Sequence, residues 1–140
     1  MYRVFSASFE LLDCLYINDR GKRTKQQNNY LTVQYESNGV VQPQVINNDG
    51  LMDLFVGTRM ISWKFCLLVN KKLLINTGDG RFRDVTMKMA LGLEDIGLIT
   101  DARRIDYDCH GDFDLLITGE WMAILLFEKN KKLRNVDSEL

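Results

Sequence analysis

The chain of 140 residues lacks a charge excess: 18 Lys and Arg stand against 19 Asp and Glu, a formal net charge of −1. Nothing in that balance calls for nucleic acid or an acidic membrane as a partner. It also lacks any apolar run near the roughly 18 residues that a membrane span needs; Trp121 to Phe127 stops after seven. The opening Met1-Tyr-Arg-Val-Phe-Ser-Ala-Ser-Phe-Glu10 has none of the basic, apolar and small-residue zones of a signal peptide. A cytosolic chain, or one whose true N-terminus is missing, is expected. Cysteine is scarce and odd in number: Cys14, Cys66 and Cys109 share no motif spacing, so three unpaired thiols are expected ahead of one disulfide with a free thiol. Histidine occurs once, at His110, directly after Cys109. Neighbours in an extended segment point to opposite sides, which disfavours a Cys–His nucleophile pair. Gly78-Asp79-Gly80 lacks the Lys and the following helix of a phosphate loop.

What is present is a short acidic loop that occurs twice. The first copy runs Val45-Ile46-Asn47-Asn48-Asp49-Gly50-Leu51-Met52-Asp53 into Leu54-Phe55-Val56. The second runs Asp106-Tyr107-Asp108-Cys109-His110-Gly111-Asp112-Phe113-Asp114 into Leu115-Leu116-Ile117. The offset is 61 residues throughout (111 − 50 and 114 − 53), so the copies align without a gap. Oxygen side chains at alternate positions, then Gly, then Asp three further on, suit a hard cation. A fixed period with such a loop inside it points to a repeat protein.

Strand signals dominate the rest. Leu73-Leu74-Ile75 and Phe82-Arg83-Asp84-Val85-Thr86 flank Asn76-Thr77-Gly78-Asp79-Gly80, whose Asp-Gly pair predicts a hairpin. Leu54 to Gly57, Leu115 to Ile117 and Ile124 to Phe127 have the length of buried strands. Residues 87–101 hold the one helix-like stretch, Met87-Lys-Met-Ala90, then read as loop. Asn18 to Asn29 reads as polar turn and loop, and Lys71-Lys72 and Lys129-Asn130-Lys131-Lys132 as solvated turns. Two further echoes extend the repeat: Leu15-Tyr16-Ile17-Asn18 with Gly21 matches Leu73-Leu74-Ile75-Asn76 with Gly80, and Leu133-Arg134-Asn135-Val136 matches Phe82-Arg83-Asp84-Val85. A unit of roughly 50 to 60 residues then runs acidic loop, strand, variable stretch, strand, Asp-Gly hairpin, strand, loop, strand, about four strands, which is the make-up of a propeller blade. The expected organisation is the end of one unit in residues 1–44, a whole unit in 45–105 and the start of another in 106–140.

These residues resemble the FG-GAP/VCBS repeat proteins, which share their calcium loops with the integrin α-subunit propeller. The two acidic loops with their following strands are similar to the family's Asp-x-Asp-x-Asp-Gly-x-x-Asp-Leu motif. Asn76-Thr-Gly-Asp-Gly-Arg-Phe-Arg-Asp-Val-Thr86 is similar to its recurring hairpin, and Gly119-Glu120-Trp121-Met122 to a segment of bacterial members. The likeness covers about residues 40–137, with a weaker echo at 14–22. It implies an all-β fold, a partial β-propeller of four-stranded blades, extracellular or on the cell envelope. It further implies calcium in the loops and a non-catalytic role in adhesion or in binding a protein or carbohydrate. A propeller of four to eight such units would need roughly 240 to 480 residues. A fragment of a larger propeller is therefore expected, its exposed edges pairing with other blades or with copies of the chain.

Carried onto the second loop, the family pattern gives Asp106, Asp108, His110, the carbonyl of Asp112, and Asp114. On the first it gives Asn47, Asp49, the carbonyl of Leu51, and Asp53, with no side-chain ligand from Val45. An imidazole at His110 is a poor calcium ligand, and mixed N/O sites also suit zinc or manganese. An EF-hand is excluded, because the twelfth residue from Asp106 is Ile117, inside a strand, rather than Glu. Two readings compete with a calcium module. In one the loops are turns held by their own Asp and Asn side chains; in the other the Asp106–Asp114 cluster activates water in a metal-dependent hydrolase. Trp63 and Trp121 are expected in the core or on the rim between blades rather than as sugar-stacking platforms.

Overall fold

β-Branched and leucine-rich runs set the strands that the acidic loops lead into. The computed structural model describes residues 15–25, 36–61, 71–89, 92–93, 96–128 and 133–135. Within them the chain is mostly β, with antiparallel pairing throughout and one helical turn. β1 (Tyr16–Asp19) and β2 (Lys22–Lys25) form a hairpin. β3 (Glu36–Gln44), β4 (Asp53–Ile61), β5 (Lys72–Asn76) and β6 (Phe82–Asp84) follow as a four-stranded meander. The turn α1 (Thr86–Met89) leads on to a second meander. It comprises β7 (Leu98–Ile105), β8 (Asp114–Glu120), β9 (Leu125–Phe127) and β10 (Leu133–Asn135).

Each sheet begins one strand before its acidic loop, which joins its first strand to its second. Of those first strands, β3 is absent from the sequence reading, and β7 is there only at its end, as the strand that closes the repeat unit after a loop up to residue 101. The reason is local chemistry. Glu36-Ser-Asn-Gly-Val-Val-Gln-Pro-Gln44 carries a Gly, a Pro and five polar residues, a poor strand by propensity. It is nevertheless paired along its length with β4. β3 lies at the edge of its sheet, where the missing N–H of Pro43 is tolerated. Leu98-Ile-Thr-Asp-Ala-Arg-Arg-Ile105 is likewise an edge strand with charge in its middle. β2 of the first hairpin lies where polar loop is expected, while β1 begins in the stretch that echoes Leu73-Leu74-Ile75-Asn76. The fully exposed Lys22-Arg-Thr-Lys25 of β2 shows no apolar alternation to read.

The sheets meet where β7 packs on β3 and β4. Ile99 sits against two glycines. A Cβ on Gly57 would come within 2.5 Å of Ile99 Cγ2, and one on Gly39 would strike the Ile99 carbonyl. Larger residues at either position would force the layers apart. One apolar cluster runs through both sheets, with Phe55, Leu73 and Ile75 from the first and Ile99, Ala102, Leu115, Ile117 and Leu125 from the second. Val85 and Leu93, on the connection between the sheets, complete it.

The expectation of a solvated turn at Lys71-Lys72 fails at Lys71. Only 2 % of that residue is exposed, and its Nζ donates to the Ile96 carbonyl. The aliphatic stem covers apolar surface while a backbone carbonyl receives the ammonium. Trp121 lies on the turn between β8 and β9 and is exposed, so it belongs to the rim and not the core. Cys109 is an exposed free thiol. Trp63, Cys14, Cys66 and the 129–132 basic cluster lie outside the described residues. Among the described residues no helix is long and apolar enough to cross a membrane.

Candidate functional site

The two acidic loops have one backbone. The fourth position is left-handed in both, with φ of 61° at Asn48 and 58° at Cys109. The sixth is left-handed in both, with φ of 80° at Gly50 and 84° at Gly111. Glycine adopts that region without penalty, and Asn tolerates it better than Cys does. The ninth position is a buried carboxylate in both: Asp53 is 0 % exposed and Asp114 is 2 %. Each reaches back across its loop to a backbone N–H seven residues earlier. Asp53 Oδ2 accepts from Ile46 N at 2.8 Å, and Asp114 Oδ2 from Tyr107 N at 3.2 Å. A carboxylate is the acceptor best suited to hold a buried N–H, because charge-assisted bonds are the stronger ones.

The eighth-position carbonyl is also engaged in both loops, by a side-chain amide from elsewhere. Asn76 Nδ2 donates to Met52 O at 3.2 Å, and Gln44 Nε2 to Phe113 O at 2.6 Å. Gln44 lies at the end of β3, so the second loop is tied to the first sheet. Asn76 does more. Its N–H donates to Asp53 Oδ1 at 2.8 Å, and its Oδ1 accepts from Gly78 N at 2.9 Å. One residue thereby laces the first loop to the β5–β6 turn. Asn18 Oδ1 accepts from Gly21 N at 3.0 Å in the β1–β2 turn, which is the signal that the repeated Asn in the sequence carried.

The other polar side chains bond within each loop, through different residues. In the first, Asn47 Nδ2 donates to Asp49 Oδ2 at 2.7 Å, Asp49 N to Asn47 Oδ1 at 3.2 Å, and Leu51 N to Asp49 Oδ1 at 2.8 Å. Asn47 and Asp49 therefore spend their oxygens inside the loop, as turn-forming Asx residues do. Leu51 is half-buried beside the β5–β6 turn, where a Cβ on Gly78 would lie 3.4 Å from its Cδ1. In the second loop Asp106 Oδ2 accepts from Gly111 N at 3.1 Å, and Asp108 Oδ1 from His110 N at 3.3 Å. His110 Nδ1 closes on Asp108 Oδ2 at 2.9 Å. Asp106 and His110 are exposed, while Asp108 and Asp112 are half-buried.

Among the described residues no three His, Cys, Asp or Glu side chains are gathered at one point. The donor chemistry still separates the loops. The second has carboxylates at positions one, three and nine, of which Asp106 and Asp108 bond within the loop. The first offers two carboxylates and one amide, and both oxygens of Asp53 already receive backbone N–H groups. Beside the loops, the Thr77 hydroxyl donates to Asp79 and holds its carboxyl below the ordinary value. The N–H of Arg81 and its guanidinium act in the same direction.

Compared with protein-family models, with curated proteins and with solved structures, the chain matches none at a significant level.

Proposed function

We propose that this chain is a non-catalytic, calcium-binding module of the FG-GAP/VCBS propeller kind, with each four-stranded meander acting as one blade. One observation carries the reading. Two loops 61 residues apart (114 − 53) join the first two strands of their sheets with the same left-handed positions and the same buried Asp. A sequence repeat that is also a repeat of backbone geometry is what a blade array requires. Stacking on both sides is supported by β4, where the adjacent Phe55 and Val56 are each 0 % exposed. Extracellular or envelope location, and a role in adhesion or in presenting a protein- or carbohydrate-binding surface, are proposed with the family.

Calcium is proposed at the second loop, held by Asp106, Asp108, Asp114 and the Asp112 carbonyl, and more weakly at the first. When bound it would neutralise the clustered carboxylates. The chain's own contribution is the frame: Gly111 permits the sharp turn, and Asp114 keeps the emerging strand tied to Tyr107. Calorimetric titration of calcium and then zinc, with thermal unfolding in parallel, tests the reading. A calcium-dependent rise in melting temperature supports it. Zinc binding without calcium binding would favour His110 as a ligand and the hydrolase reading instead.

A further inference from the structure

The eighth position of each acidic loop is held through its carbonyl, but from different places. At Met52 the donor is Asn76 on β5, in the same sheet. At Phe113 it is Gln44, the last residue of β3, in the other sheet. The repeat does not supply that donor twice, because the position 61 residues after Gln44 is Ile105 (105 − 44). Gln44 is 7 % exposed, so its amide is buried at the contact, and Nε2 approaches Phe113 O to 2.6 Å. Phe113 keeps 45 % of its surface in water and is therefore not fixed by burial. Its ring is capped by Arg104 of β7, whose Cζ lies 4.2 Å from the ring centroid and whose Nε is buried without a hydrogen bond. One sheet thus holds the Phe113 carbonyl, and the other holds its ring.

Phe113 stands between two of the proposed calcium ligands, the Asp112 carbonyl before it and the Asp114 carboxylate after it. Its carbonyl and the Asp114 N–H belong to one planar group, so holding the carbonyl sets the direction in which Asp114 leaves the loop. Asp114 in turn is buried and accepts from Tyr107 N at 3.2 Å. A neutral amide suits this task. Lys in place of Gln44 would compete with a cation for the carboxylates, and an ionised Glu would offer the carbonyl no proton. Groups that orient ligands without touching the metal commonly set its affinity. We infer that Gln44 is a positioning residue for the cation site of the second loop, so that this site is complete only with the first sheet docked beside it. By reciprocity, cation binding there tightens the packing of β3 on β7. The inference rests on the reading of the second loop as a calcium site and adds what regulates it.

The test is calorimetric titration of calcium into the full chain, with amide hydrogen exchange followed by NMR on the calcium-free protein. Gln44→Met nearly keeps the volume and removes the donor. It is expected to weaken calcium binding by about tenfold to a hundredfold. It should also speed exchange of the Tyr107 N–H, which Asp114 accepts, and leave its first-loop counterpart at Ile46 unchanged. Asn76→Leu unfastens the first loop instead, so the tighter calcium affinity and the Tyr107 exchange should stay as in the wild type. Where Gln44→Met fails to fold, Gln44→Asn, one methylene shorter, decides by the same two readouts. Unchanged calcium affinity or unchanged Tyr107 exchange in the Gln44 variant would overturn the inference and leave the calcium reading standing. A loss of affinity matched by Asn76→Leu would also overturn it, since general loosening would then be the cause. A wild type that binds no calcium would overturn both readings, so the two failures are told apart.

Discussion

The first and second acidic loops share a backbone and differ in chemistry. Loop 45–53 has turned its polar side chains on itself: Asn47 and Asp49 bond each other and the Leu51 N–H, and Val45 contributes no oxygen. Loop 106–114 does the same with other residues: Asp106 accepts from the Gly111 N–H, and Asp108 from the His110 N–H with His110 Nδ1 against its second oxygen, so that positions one and three are both carboxylates. Yet the left-handed positions agree within a few degrees, and the ninth-position Asp is buried in both. The frame therefore does not depend on a complete ligand set. It depends on the positions that are the same: a Gly that can take positive φ, and a carboxylate that satisfies a buried N–H.

That comparison is open to direct attack. The largest effect is expected from Asp53→Ala, which leaves the N–H groups of Ile46 and Asn76 without their acceptor. A loss of about 3 kcal/mol in urea unfolding is expected. Asp114→Ala should cost a comparable amount, and a negligible cost there would break the claim of a common frame. Next comes calcium. At a hundred times its dissociation constant it should add about 2.7 kcal/mol. Asp108→Asn should abolish most of that gain while Asp49→Asn leaves it nearly intact. Equal effects of the two would show that both loops hold the ion.

Backbone strain gives smaller effects. Gly50→Ala and Gly111→Ala should each destabilise by about 1–2 kcal/mol, since both residues sit at positive φ. Cys109→Gly should stabilise by up to about 1 kcal/mol, and Asn48→Gly by less, because Asn already tolerates the region. The smallest effect concerns the Thr77–Asp79 contact. The carboxyl of Asp79 titrates below its unfolded-state value, so its contribution is present above that value and lost as pH falls through the folded one. Acid unfolding below about pH 4 should therefore be slightly less steep in Thr77→Ala than in the wild type.

The strands that follow the loops were legible because Leu54-Phe55-Val56 and Leu115-Leu116-Ile117 are apolar runs that end up within a stack of sheets. The β5–β6 turn was legible because Asp79-Gly80 has few other uses between two strands. β3 was not, and β7 was legible only at its end. Their sequences hold Gly39, Pro43, Asp101, Arg103 and Arg104, and only pairing with β4 and β8 makes them strands. The parts of Asn76 and Gln44 in securing the loops were hidden for the same reason. Gln44 meets Phe113 across 69 positions of chain, and Asn76 meets Asp53 across 23.

By itself, then, the sequence determined the local conformations: where the chain must turn, which loop glycines take left-handed backbone, and which runs must be buried. Those follow from steric and hydrophobic properties that each residue carries with it. Tertiary structure alone decided that weak edge sequences become strands and that Lys71 is buried. It also decided that two glycines admit Ile99 between the sheets, and that Gln44 reaches the second loop. Each of these depends on a partner distant in the chain, and contact across space leaves no mark on local composition.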